Sequence, residues 1–396
     1  MRASAALVAL YALAVFLAAA LLFGLEPMFG KMALPLLGGA PAVWNVALVF
    51  YQIALLAGYA LAHLIAGRVR PRLQALAYVA LVAVGLVVLP IRVAGGFRPD
   101  LSVVPIGPLF GLFSISLGLP FVALAAGSPL LQSWFARLPA VRGRDPYVLY
   151  AASNAGSLGA LAAYPLAVEP YVGLRLQSAT WAVVYALYLL LAGACGVALL
   201  RGAPADVESV ARSANEPTLR LRSYWIALAL VPSALMVAVT NHIETAVAAM
   251  PLLWTLPLGA YLLTFVIAFS GRPEQTRAIA LRLRPYVLLP LVLLVSIGLA
   301  LPAEWYVALS VVAFAVLALA CHAELAATRP EASRLTEFYL LVALGGALGG
   351  SFVALFAPLA LPTVAEYPLA IVAACALVAP AAKSDLCSRF LNLFLP

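Results

Sequence analysis

Ionisable side chains are scarce in this 396-residue chain, which has 23 Lys and Arg, 15 Asp and Glu and 3 His. Glu26 and Lys31 stand five residues apart at the head of GLEPMFGKMALPLLGGAPAVWNVALVFYQ, a stretch from Gly24 to Gln52 too apolar for an ordinary surface loop. Asn241, His242 and Glu244, followed by Thr245, form a second group ahead of another apolar run. A carboxylate at a bilayer is costly unless protonated, paired or hydrated. Glu26 therefore reads as a cation or proton site or, with Lys31, as a snorkelling pair that anchors a helix end. A histidine near a carboxylate is the equipment of a proton relay, because imidazole titrates close to neutrality, and it serves equally as a helix cap. Two potential ligands fall short of a closed metal site. No Gly-x-Gly-x-x-Gly follows a predicted strand and no ATP-binding motif is present, so no metal, no cofactor, no catalysis and no primary pumping are expected of this chain.

Uncharged polar residues add candidates. Asn45, Gln52 and Tyr59 recur at seven and share one stripe of a helix that also holds Tyr51 and His63. Tyr150, Ser153, Asn154 and Ser157 make a second patch, with Asn154 as its focus. Such stripes either line a cavity or hydrogen-bond to a neighbouring helix. His322, Glu324 and Glu337 read as a solvated face, and Trp44, Trp225, Trp254 and Trp305 as an aromatic belt.

The elements that position these residues follow from composition. The chain is 65% apolar and 10% charged, against about 25% charged in soluble domains, and its mean hydropathy is +1.08. This is the composition of an all-α polytopic membrane protein. At roughly 20 apolar residues per crossing, twelve spans are expected near 5–24, 43–66, 74–93, 107–127, 147–168, 178–200, 223–241, 251–270, 284–301, 304–321, 337–360 and 366–382. The start, Met1-Arg2 and an apolar run into Gly24-Leu25-Glu26-Pro27, reads as a retained signal-anchor. The four cysteines, Cys195, Cys321, Cys375 and Cys387, lie far apart and read as buried small hydrophobes or free thiols.

Alternating loops carry the positive charge. With a cytoplasmic N-terminus, nineteen of the 23 basic residues lie inside and only Lys31, Arg92, Arg98 and Arg175 outside. That asymmetry explains the net charge of +8 without nucleic acid and sets both termini in the cytoplasm. The chain also repeats. Pro35-Leu36-Leu37…Pro41 returns as Pro251-Leu252-Leu253…Pro257, with Glu26 and His242 each nine residues ahead. YVLYAASNAGSLGALAAYPLAVEP (Tyr147–Pro170) parallels YLLVALGGALGGSFVALFAPLALP (Tyr339–Pro362), and Gly345, Gly346, Gly349 and Gly350 give two GxxxG pairs for close helix packing. The expected organisation is a first six-helix half over 1–200, a linker over 201–222, a second half over 223–382 and a tail over 383–396. The two halves are parallel in topology.

Two resemblances follow. Gly58 to Arg72, a short Gly-bounded turn with Arg68, Arg70 and Arg72, resembles the signature loop of the major facilitator superfamily, with His63 where that family places an acidic residue. GLEPMFGKMALPLLGGAPAVWN, NAGSLGALAAYPLAVEP, the Asn241–Trp254 segment and CHAELAATRPEASRLTEFYLLVALGGALGG resemble the membrane portion of bacterial fused major-facilitator/spermidine-synthase proteins. Relatives in that group often carry a soluble synthase-like fold after the membrane region. Only fourteen residues follow Ala382 here, so spermidine-synthase chemistry is not expected of this polypeptide.

These readings imply a multi-pass protein of the bacterial inner membrane with a major-facilitator-like arrangement. The expected role is secondary, proton-linked transport or binding of a small cationic or amphipathic solute, polyamines among the candidates. Two alternatives remain open: a membrane partner of a separately encoded spermidine-synthase-like or methyltransferase-like protein, and a structural subunit of a membrane complex. The repeat predicts that Glu26 and the His242–Glu244 pair face one shared cavity near the periplasmic side, where solute and proton compete.

Overall fold

A computed structural model of the chain describes residues 2–37, 41–93, 106–141, 144–202, 216–247, 253–297, 301–361 and 365–378. Among these, twelve main helices, a few short helical turns and no strand are found. The main helices are α1 (Arg2–Leu37), α2 (Pro41–Arg68), α3 (Pro71–Gly85), α4 (Ile106–Arg137), α5 (Tyr147–Ala163), α6 (Leu174–Gly202), α7 (Leu219–Val247), α8 (Thr255–Phe269), α9 (Pro273–Ile297), α10 (Ala303–Ala327), α11 (Leu335–Ser351) and α12 (Glu366–Leu377). Helices are the expected solution in lipid, because they satisfy every interior N–H and C=O without water. Eight of the helical stretches are long and apolar enough by themselves to cross a membrane.

Each expected span has its helix, but three differ markedly in extent. α4 runs on past the expected residue 127 to Arg137. α1 does not break after Gly24; it continues through Pro27 and Pro35 to Leu37. A transmembrane helix tolerates the hydrogen bond lost at each proline when its neighbours are packed closely. α9 begins at Pro273, well before the expected residue 284, so Arg277, Arg282 and Arg284 lie on the helix. Two of these arginines are engaged within the protein: Arg277 pairs with Glu324, and Arg284 donates from Nη1 to the carbonyls of Cys375 (3.3 Å) and Val378 (2.9 Å) at the end of α12. There it satisfies carbonyls that a helix end leaves open.

The helices group into two compact units. The first comprises Met1–Arg222 and Pro330–Ala343; the second comprises Ser223–Arg329 and Leu344–Pro396. In the first, α1 packs on α4, α5 and α6, α2 on α4, and α3 on α6. In the second, α10 packs against α8, α9 and α12. The repeat is visible in how helices approach. A Cβ on Gly156 of α5 would press on the Phe16 carbonyl of α1, and one on Gly345 or Gly349 of α11 would press on the Ile226 or Leu230 carbonyl of α7. Small residues of span 5 thus meet the backbone of span 1 in one half, and those of span 11 meet the backbone of span 7 in the other.

Three π-helical turns interrupt the ladders, at Ser114–Gly118 in α4, Tyr164–Val168 after α5 and Phe352–Phe356 after α11. Pro120 and Pro358 stand four residues after Ser116 and Ala354, inside the turns they follow. A proline ring clashes with the carbonyl four residues back, and widening that turn relieves the clash.

Membrane exposure is legible in α6. Val183, Leu187 and Leu190 are exposed, whereas Trp181, Tyr185 and Tyr188 are buried. The outward face is the more apolar one, the reverse of a soluble helix. The inward polar groups are bonded: Trp181 Nε1 donates to the Leu21 carbonyl (2.9 Å) and Tyr185 Oη to the Val82 carbonyl (3.0 Å). Cys195 and Cys321 are buried and Cys375 is half-buried, all as free thiols.

Candidate functional site

Glu26 lies in the continuous part of α1 and is 6% exposed. Among the described residues no side chain forms a hydrogen bond or ion pair with its carboxylate. Tyr51 of α2 donates its hydroxyl to the Glu26 backbone carbonyl at 3.3 Å. The Tyr51 ring stacks on Phe121 (centroids 5.4 Å) and meets Phe113 edge-on (5.7 Å), and Phe113 also meets Phe29, one turn beyond Glu26 (5.1 Å). Phe113 directly precedes the π turn of α4, the kind of local distortion that recurs at functional sites. A buried carboxylate on a helix packed into an aromatic cluster is chemically suited to a cation through its charge.

Lys31 is not the partner of Glu26. Its ammonium pairs with Glu169, in the turn after α5. Five residues on one helix set the two side chains on different faces, whereas α5 brings Glu169 to the end of α1. Gln52 is half-buried on α2. Asn45 falls within α2, but its side chain lies outside the described residues, as do the side chain of Trp44, Gly38 and Gly39, Pro251 and Leu252, and the tail from residue 379.

The α5 patch exists, with a different focus. Asn154 donates from Nδ2 to the Tyr150 carbonyl on its own helix (2.9 Å). The residue that reaches across is Ser153, whose hydroxyl accepts from Ser128 of α4 (3.2 Å). Gln132, fully buried, donates to Ser128 (3.0 Å) and accepts from the Tyr339 hydroxyl (2.7 Å), while Tyr339 stacks on Tyr150 at 4.8 Å. His63 Nδ1 and the Thr336 hydroxyl are 3.0 Å apart.

In the second unit, His242 lies inside α7, not at a corner after it. Its Nε2 is 2.5 Å from the Tyr306 hydroxyl of α10, and its ring stacks on Tyr367 of α12 at 4.5 Å. Asn241 and Glu244 flank it and are half-buried. An imidazole hydrogen-bonded to a phenol and covered by a second ring is a polar group held in a fixed orientation.

Two other readings are corrected. His322 is fully buried: Nδ1 is 2.8 Å from the Thr264 hydroxyl and the ring stacks on Phe265 at 3.7 Å. Glu324 pairs with Arg277, and Glu337 pairs with Arg222 and Arg334, so this is no solvated face. Trp225 and Trp254 are buried, and Trp225 Nε1 donates to the Thr328 carbonyl (3.2 Å); of the belt tryptophans described, only Trp305 is exposed. Among the described residues no group of three or more His, Cys, Asp or Glu is placed to hold a metal ion.

Sequence reasoning missed Glu169, Gln132, Tyr306 and Tyr367. Gln132 lies beyond the span expected at 107–127 and entered the helix only because α4 continues to Arg137.

No family model matches the chain, and no curated protein sequence matches it. Solved structures do. A bacterial homologue of the iron transporter ferroportin, in an outward-facing state, aligns with TM-score 0.56 at 16% identity over 93% of this chain and 96% of its own. The major facilitator superfamily proton:xylose symporter XylE, bound to 6-bromo-6-deoxy-D-glucose, aligns with TM-score 0.55 at 16% identity over 99% and 97%. The POT family transporter PepTSo aligns with TM-score 0.55 at 14% identity over 97% and 98%. The chain is an all-α, multi-pass membrane protein with a major-facilitator-like fold of two six-helix repeats. At these identities the likeness concerns the fold.

Proposed function

We propose that the protein is a secondary transporter for a small cationic or amphipathic solute, linked to protons, with Glu26 as the group that takes up the cation or the proton. The observation that carries this reading is the Glu26 carboxylate itself, buried in a membrane-spanning helix with no side chain of the described protein to balance its charge. An ionisable residue in such a position marks a solute or proton pathway by default. The carboxylate's charge and the apolar cluster around Tyr51 support a cationic, partly apolar ligand, and polyamines fit both demands. The neighbouring folds are those of proteins described as transporters, a proton symporter among them. His242 with Tyr306 is the second proton-handling candidate. We place the chain in the bacterial inner membrane with both termini cytoplasmic.

Reconstitution tests this reading. Purified protein in liposomes should accumulate at least one member of a panel of diamines, polyamines and amino acids when a pH gradient is imposed, and Glu26→Gln should abolish that accumulation. Uptake indifferent to the gradient and to Glu26→Gln would reject it.

A second reading rests on the Glu-Pro-Met…Gly-Lys-Met segment and its resemblance to fused synthase proteins. Here the chain is the membrane partner of a soluble synthase-like enzyme, and stable co-purification with such an enzyme is its test.

A further inference from the structure

A groove of about 610 Å³ opens on the first unit where the ends of several elements converge. Its lining includes Leu7 and Leu10 of α1, Ala194 and Ala198 of α6, Leu138 just after α4, and one charged residue, Arg201. The small residues of α6 open the space between α1 and α6. A Cβ on Gly202 would meet Leu138 at 2.9 Å, so the end of α6 abuts the segment that follows α4.

Arg201 sits in the last turn of α6 and is exposed, and among the described residues no carboxylate pairs with it. α6 has 29 residues. At about 1.5 Å per residue this exceeds a hydrocarbon core of about 30 Å, which leaves the helix end at headgroup depth. α2 and α4 end in Arg68 and Arg137, and Arg137 Nη2 donates to the Ala66 carbonyl at 3.3 Å, so these two ends lie on the same face.

We infer that this groove is a binding site for an anionic phospholipid, with an acyl chain between α1 and α6 and the phosphate on Arg201. The apolar walls match a hydrocarbon chain, and an unpaired guanidinium matches a phosphate through two parallel N–H···O bonds. Basic pockets between helices at the membrane surface select anionic headgroups on this ground. Neither Glu26 nor His242 lines the groove, and the inference does not depend on the transport reading.

Native mass spectrometry of the full chain, released from detergent with equimolar phosphatidylglycerol and phosphatidylcholine, tests it. Phosphatidylglycerol should be retained in preference. Arg201→Gln should reduce that preference about fivefold, the effect of one basic side chain at an anionic surface, and Arg201→Lys should keep most of it. Ala198→Phe, which fills the groove, should lower retention of both lipids while leaving the elution volume unchanged. The assignment is overturned if Arg201→Gln retains phosphatidylglycerol like the parent chain. It is equally overturned if the groove proves to seat a second copy, seen as a dimer mass that Ala198→Phe disperses.

Discussion

Moving a carboxylate out of water costs several kcal/mol unless a proton or a cation goes with it. Glu26 carries that cost within its unit without a side-chain partner, whereas Lys31 and Glu169 offset each other. The two residues should therefore respond differently to mutation. Glu26→Gln, nearly isosteric, should leave thermal stability unchanged or raise it. Lys31→Ala should lower it by about 1 kcal/mol, because the part-exposed Glu169 loses its counter-ion. A larger loss is expected from Gln132→Leu, which removes the acceptor of the Tyr339 hydroxyl, at about 1–3 kcal/mol for a buried hydrogen bond, and leaves Ser128 only its bond to Ser153. Thermal unfolding in detergent, followed by size exclusion, ranks the three. Glu26 and His242 were legible in the sequence because charge inside an apolar run is visible without a structure. Their surroundings were not. Tyr306 is 64 residues from His242 and Glu169 is 138 from Lys31, separations that only helix packing closes.

Helices in this protein meet at glycines, and the glycines are not equivalent. Gly156 and Gly349 face the carbonyls of Phe16 and Leu230, while Gly159 and Gly346 have open space where a Cβ would stand. Gly156→Leu should force α1 and α5 apart at an overpacking cost of at least about 1–3 kcal/mol, and the protein should elute as aggregate. Gly159→Leu should elute as the parent does. The small-residue pattern shared by Tyr147–Pro170 and Tyr339–Pro362 made close packing of these two helices readable in advance, since only close approach of two backbones rewards so many Gly and Ala. Which helices they pack against was not readable. The extent of α1 was not readable. Pro27 and Gly30 carry the marks of a break, and the neighbouring helices, absent from any local pattern, hold the turn together. The π turns escaped for a related reason. A proline signals a lost hydrogen bond, but whether the helix kinks, ends or widens depends on packing.

Composition and loop charge define the molecule as a whole more securely than any motif does. Twelve apolar stretches separated by alternating basic loops leave little choice of architecture, and the fold agrees with that of solved major-facilitator structures. The same loops predict a cytoplasmic N-terminus, and that prediction is open to measurement. On a background without Cys195, Cys321, Cys375 and Cys387, Tyr171→Cys should react with a membrane-impermeant maleimide in intact cells, and Arg144→Cys only after permeabilisation. Both positions are exposed in the structure. Substrate identity was never legible at this scale, because two repeats on one fold serve many solutes and the specificity lies in a few side chains.

Coupling of a solute to a proton at Glu26, as proposed, is directly measurable. Uptake driven by a pH gradient, and solute counterflow without one, should be compared in proteoliposomes for the parent chain, Glu26→Gln and His242→Ala. Loss of the charged hydrogen bond predicts that Glu26→Gln weakens solute or proton engagement by about ten- to a hundredfold. Gradient-driven uptake should disappear while the protein still elutes as a folded species, and His242→Ala should shift the pH dependence. Full uptake with unchanged pH dependence in both variants would contradict the account.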